Sequence, residues 1–164
     1  MRIYIKNQQR LIKVDQHRIR RDLRKALHLL SLHKAEISIL FVNDKRMKIL
    51  NSQYRGIERT TDVLSFPQHS PKEQKCRRSE VFNTGTSELQ SFRASWLLLG
   101  DIVINVQKAR KQAGEHGLTF NEELRLLLMH GLLHLLGYDH EQSQYAKRKM
   151  ERKKRELIAG IEEK

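Results

Sequence analysis

Two histidines, His130 and His134, stand four residues apart in a strongly apolar stretch, and a third, His140, follows six residues later, beyond Gly137. On an α-helix a step of four residues rises about 6 Å and returns to the same face, so the first two imidazoles aim side by side at one point. Gly137 can end the helix in a left-handed turn and let the chain fold back to deliver His140. Three neutral imidazole nitrogens around an open fourth position are the donor set of a catalytic zinc site. The pattern therefore predicts one Zn2+ ion held by His130, His134 and His140. A single histidine in an apolar helix is more often a hydrogen-bonded core residue, but three at this spacing around a turn glycine form a specific motif. His17, His28, His33, His69 and His116 show no such spacing and read as surface or structural residues.

The spacing H-x-x-x-H-x-x-G-x-x-H is also that of the metzincin proteases, which carry a glutamate directly after the first histidine as general base. That position here is Gly131, which has no side chain to take a proton, and the only downstream methionine, Met150, lies in a charged, helical tail. A metzincin-like metallohydrolase is thus the weaker reading. Three neutral ligands leave the ion with its full double positive charge, suited to acidifying water or polarising a phosphoryl oxygen. An anionic substrate fits such a centre, a phosphodiester among the first candidates.

The rest of the chain must position this site. At 164 residues it is long enough for one domain with a sizeable core. Its net charge of +13 and pI near 10.1 favour polyanionic partners, nucleic acid first and an acidic membrane surface second. The basic residues gather in two stretches: Arg18, Arg20, Arg21, Arg24 and Lys25, then Lys147, Arg148, Lys149, Arg152, Lys153, Lys154 and Arg155. Each is either a solvated helix face or a surface that tracks phosphates. Cys76 is the single cysteine, so no intrachain disulfide can form and a reducing, cytoplasmic setting fits. No stretch has the apolar length of a membrane span, and the start is too polar for a signal peptide.

Residues 2–6 alternate as a short strand, and residues 15–32 read as an amphipathic helix with Asp15 as N-cap and Ile19, Leu23, Ala26, Leu27 and Leu30 on one face. Residues 36–42 form a strand, and Asn43 or Asp44 then caps a helix to about Tyr54. Residues 62–66 form a strand stopped by Pro67. A long basic loop is expected at about 68–96. Residues 97–105 form a strand containing Gly100, and a basic helix from about Val106 ends at Gly117. Thr119 or Asn121 caps the metal helix, and the apolar residues of 124–136 run nearly all round it, which predicts a buried helix and ligands set in a dry wall. A charged helix closes the chain.

The run HGLLHLLGYDH at 130–140 resembles the signature of the YbeY family, the zinc-dependent endoribonucleases of rRNA maturation. Tyr54-Arg55-Gly56, with TDVLSFP at 61–67, resembles that family's arginine segment, and LGDIVI at 99–104 resembles its LGDI strand. The resemblance implies an α/β (α+β) single domain over 1–164: a small, mixed, mostly parallel four-stranded sheet flanked by helices, with the metal in a cleft. It implies His130, His134 and His140 as zinc ligands and Arg55 as the functionally important arginine. The implied activity is cleavage of single-stranded RNA in maturation of the 3′ end of small-subunit (16S) rRNA and in ribosome quality control. The implied partners are the small ribosomal subunit and an assembly GTPase, with no membrane and no DNA. Three features depart from the family pattern: the long basic connection before the LGDI strand, the large positive charge, and Thr60 where proline is common.

By its chemistry Arg55 offers planar donors that could neutralise charge growing on a phosphorane-like transition state. Asp101 and Asp139 are candidates to accept the free ring N–H of a ligand histidine, and Asp139 reads equally as a turn residue. Ser65 and Tyr138 read as core or rim residues. A reading of another class stays open beside the enzyme: a non-catalytic, zinc-stabilised RNA-binding factor of ribosome assembly. That reading needs a fourth protein ligand, since structural zinc is normally closed by four.

Overall fold

The computed structural model describes residues 1–68, 96–139 and 143–163. The expected loop and Cys76 lie outside these residues, as does His140.

The alternation at the start of the chain becomes strand β1 (Arg2–Asn7), and the first amphipathic run becomes α1 (Gln16–Leu29), capped by the Asp15 carboxylate on the Arg18 N–H. Strand β2 (Ala35–Val42) leads through Asn43, whose side chain accepts from the Arg46 N–H, into α2 (Asp44–Arg55). Strands β3 (Val63–Pro67) and β4 (Leu97–Asn105) follow, then helices α3 (Val106–His116), α4 (Phe120–Leu135) and α5 (Gln144–Glu162). Thr119, rather than Asn121, caps α4 in a reciprocal capping box with Glu122. Pro67 is the last residue of β3 rather than the stop after it, which an edge strand tolerates.

The sheet runs in the order β1-β2-β4-β3, with β1, β2 and β4 parallel and β3 antiparallel on the edge. This is the mixed, mostly parallel four-stranded sheet expected from the sequence. Its two faces are unequal. Ile3, Ile37, Ile39, Phe41, Ile102 and Ile104 point into a large core with α1, α4 and α5. On the other face Val42, Leu64 and Val103 meet only Met47 and Leu50 of α2, in a second, smaller cluster. The expected face of α1 is buried from Ile19 to Leu30.

Two polar devices hold the frame. Buried Arg125 of α4 donates to Asp22 of α1 at 3.0 Å and to Glu162 of α5, joining three helices. Buried Asn105 donates to Asp44, to Thr60 Oγ1 at 2.8 Å and to the Thr61 carbonyl, while its Oδ1 accepts from the Gln107 N–H at 3.1 Å at the start of α3. Thr60 also donates to Asp44 at 3.1 Å. At Thr60 the chain thus secures by hydrogen bonds a turn that proline would fix by its ring.

The early basic cluster is largely structural. Arg20 donates to the Ile3 carbonyl, and Lys25 Nζ donates to the carbonyls of Ile161 and Glu163 at 2.9 and 2.8 Å, capping the C-terminus of α5. Only Arg21 and Arg24 of that stretch remain exposed. It cannot be the continuous phosphate-tracking surface that its sequence allows.

Candidate metal centre

His130 and His134 lie on one face of α4, with ring centroids 4.6 Å apart and Nε2 atoms 3.1 Å apart. Two nitrogens bound to one tetrahedral zinc at about 2.0–2.1 Å stand about 3.3 Å apart, so the pair fits a shared ion. Among the described residues no group of three or more potential ligands gathers, and His140 belongs to the residues outside them. Both histidines are half-buried. This corrects the expectation of a dry wall: the helix is buried on its Leu124, Leu128, Leu132 and Leu135 sides, yet the edge bearing His130 and His134 reaches solvent.

The turn after the pair forms as the glycine predicts. Gly137 takes φ +80°, its N–H bonds the His134 carbonyl at 2.9 Å, and the Tyr138 N–H bonds the Leu133 carbonyl at 3.0 Å. These two bonds make a Schellman motif, which satisfies the last carbonyls of α4 and turns the chain back. Tyr138 packs against the main core, as a rim residue should.

Gly131 has a positive structural duty besides lacking a base. A Cβ there would stand 2.9 Å from Ile102 Cγ2 and 3.2 Å from Ser65 Oγ. Ser65 reaches the Gly131 carbonyl at 3.4 Å. The glycine thus seats α4 directly on β3 and β4 and holds the neighbouring His130 at the sheet edge.

Arg55 is exposed at the last turn of α2, where Gly56 ends the helix at φ +68°. Beside it the Tyr54 ring meets Phe66 of β3 edge-on at 5.0 Å. Phe66 and Ser65 are consecutive and point to opposite faces. Tyr54 and Gly131, the chain neighbours of Arg55 and His130, therefore meet consecutive residues of the edge strand β3 from opposite sides of the sheet.

Asp101 does not serve His130 or His134. Its neighbour Ile102 packs under α4, so Asp101 points to the α2 face, where it lines a groove of about 610 Å³ with Tyr4, Ser38, Tyr54 and Phe66. The expectation of Asp101 as a partner of a ligand imidazole fails because strand alternation turns it away. Asp139 is half-buried just past the turn. Sequence reading missed Glu151 of α5. A hydrogen bond from Lys154 at 2.9 Å holds its carboxyl below the usual range, outweighing burial, and it lies within electrostatic reach of His130. The signal available was one acid inside a basic run.

The later basic cluster stays outward: Lys147, Arg148, Lys149, Arg152 and Arg155 are exposed on α5, while Lys153 and Lys154 pair with Glu156 and Glu151. Lys149 Nζ lies 6.0 Å from the centre of the Tyr138 ring, so the start of this helix lies beside the turn that follows His134.

Comparison with known proteins gives a consistent result. The family model described as endoribonuclease YbeY matches residues 4–162. A protein of that name from Pelotomaculum thermopropionicum is 41% identical over 127 residues, covering 77% of this chain and 72% of its own. Another, from Syntrophus aciditrophicus, is 35% identical over 159 residues, covering 96% and 88%. The solution structure of TM1509 from Thermotoga maritima superposes with a TM-score of 0.62 at 23% identity, over 97% of this chain and 88% of that one, and shares the fold.

Proposed function

The chain belongs to the YbeY family of endoribonucleases, and on that premise we propose that it is a zinc-dependent endoribonuclease that cuts single-stranded RNA. His130, His134 and His140 hold one zinc ion, and Arg55 acts on the scissile phosphate. The observation that carries this reading is the pairing of His130 and His134 at a separation that suits one ion, on a helix seated at the sheet edge by Gly131. When bound, zinc supplies positive charge that polarises a phosphoryl oxygen.

The chain's own residues do the rest. Arg55 presents a planar fork of donors that matches two phosphate oxygens and stays charged throughout the working pH range. Its place across β3 from the histidines lets a phosphodiester over the strand edge meet both. The exposed cations at the start of α5 hold flanking phosphates. Gly131 leaves no room for the glutamate of a protease in this position. The setting we infer is maturation of the 3′ end of 16S rRNA and ribosome quality control in the cytoplasm, with the small ribosomal subunit and an assembly GTPase as partners. The likeness of the three sequence motifs and the basic surface support it.

The test uses the full chain and labelled single-stranded RNA carrying the rRNA 3′ end. Cleavage should stop with a chelator, return with zinc, and be lost in His134→Ala. Arg55→Ala should slow it about 100-fold or more, as loss of an electrostatic stabiliser does. Cleavage indifferent to chelator and to both substitutions would overturn the proposal. A folded, RNA-binding protein with no turnover under any metal would assign it to the non-catalytic assembly factor.

A further inference from the structure

The sheet face opposite α4 is only half covered. Helix α2 lies over the row Lys6, Leu40, Val103 and Leu64, with Leu50 and Met47 packed there. The next row across all four strands is open. Tyr4 pairs with Ser38, Ser38 with Asp101, and Asp101 with Phe66, in unbroken register. At about 4.8 Å per strand this row spans about 14 Å.

Its chemistry is ordered. Aromatic rings stand at both ends: Tyr4, 52% exposed, on β1, and Phe66 with Tyr54, 60% exposed, at β3. Between them lie a hydroxyl and a carboxylate that make no hydrogen bond or ion pair with other side chains among the described residues. Beyond the row Arg2 lies over the Trp96 ring at 4.2 Å, with Trp96 itself 39% exposed, and Lys6 adds a cation at the groove wall. Exposed aromatics on an open sheet, separated by base-edge acceptors and flanked by cations, are what unpaired bases stack on and read against.

We propose that this row is a stacking platform for single-stranded RNA, with bases on Tyr4 and on the Tyr54–Phe66 pair and an amino-bearing base between them donating to Asp101. The occupant is RNA rather than another protein because the net charge of +13 suits a polyanion and because the row ends beside Arg55. The platform carries the strand to the edge of β3, across which the candidate metal pair stands. The inference rests on the endoribonuclease reading for its substrate and adds where the uncut strand lies and which bases it favours. Cytosine, adenine and guanine each carry an amino group for the Asp101 carboxylate; uracil does not.

The experiment titrates the full chain with labelled 12-nucleotide single-stranded RNAs and also follows Trp96, the only tryptophan. Oligo(C) should bind more tightly than oligo(U) and quench Trp96. Tyr4→Ser and Tyr54→Ser should each weaken binding about tenfold, the loss expected for one stacked base. Asp101→Ala, which removes the acceptor, should bring oligo(C) to the affinity of oligo(U). Equal affinity in the wild type and both tyrosine variants, with cleavage intact, would overturn the platform and leave the endoribonuclease reading standing. Self-association abolished by Tyr4→Ser without any change in RNA affinity would give the face to a second copy and also overturn it. Retained binding and base preference in a chain that cleaves nothing would support the platform while the reading of activity fails. Circular dichroism of each variant separates lost contacts from lost folding.

Discussion

At the residue scale two side chains, one of them a hydrogen, govern the candidate site. Gly131 is read from the sequence as the missing base of a protease; the structure adds that its Cα must approach Ile102 and Ser65. Gly131→Ala gains about 1 kcal/mol of helix propensity but forces a methyl group against buried Ile102, which costs about 1–3 kcal/mol. We expect a net loss of up to about 2 kcal/mol, seen as a lower urea midpoint at unchanged slope. Asp62, at the start of β3, illustrates the other kind of control. Burial pushes its carboxyl up, but bonds from Gln112 and Thr61 and from the Val63 N–H, each at 3.0 Å, outweigh burial and hold it below the usual 3.8. A depressed carboxyl contributes its stability above the unfolded value and loses it as pH falls through the folded one. Denaturation at pH 7 and pH 3 should therefore show a smaller acid loss in Asp62→Asn than in the wild type.

At the element scale α4 is the helix on which the site depends, and its anchors were only partly legible. Its cap, its apolar girth and its terminal glycine turn are local patterns, and Thr119, Glu122 and Gly137 behave as those patterns require. Arg125 is different: within its helix it reads as one exposed cation, whereas its partners Asp22 and Glu162 arrive from α1 and α5. Arg125 and Asp22 are 8% and 6% exposed at the side chain, and Glu162 is 56% exposed. Arg125→Ala leaves buried Asp22 with only the exposed Arg21, at 3.5 Å, as its cationic partner and should cost about 3 kcal/mol, the low end for a broken buried pair. Glu162→Ala, which removes the exposed partner, should cost less than about 1 kcal/mol. Guanidinium denaturation of the two variants side by side checks the contrast. Gly100 gives the edge strand its seat: at φ +131° a Cβ would stand 2.1 Å from the Phe66 carbonyl. Gly100→Ala should therefore disrupt the β3–β4 pairing and with it both flanks of the candidate site, read as lost amide protection of Leu64 and Phe66.

At the scale of the whole molecule, charge and topology act together. The formal charge of +13 reads from composition, but only the fold separates cations spent on structure, such as Lys25 and Arg20, from those left facing solvent on α5. Each phosphate contact to a single strand steepens the salt dependence of binding by about 0.7 in log–log slope. The triple change Lys147→Ala, Arg148→Ala, Lys149→Ala should therefore flatten that slope by up to about two units, measured by anisotropy between low and physiological salt. The same change on Arg21 and Arg24 should flatten it less, because there are only two of them and Arg21 already pairs with Asp22 at 3.5 Å.

The sequence by itself determined the spacing that pairs His130 with His134, the turn at Gly137, the order and approximate extent of the elements, and the family, because each is written in a short window of backbone preference and periodicity. The tertiary structure alone decided which face α4 covers. Alternation in β4 places Asp101 opposite Ile102, but nothing in the strand says that Ile102 lies under α4; Asp101 accordingly belongs to the open groove and not to His130 and His134. The strand order β1-β2-β4-β3 likewise brings Tyr4, Ser38, Asp101 and Phe66, drawn from four distant segments, into one row. Such juxtapositions depend on the order in which strands pair and the face on which each helix docks, and those are properties of the packed whole that no local window carries.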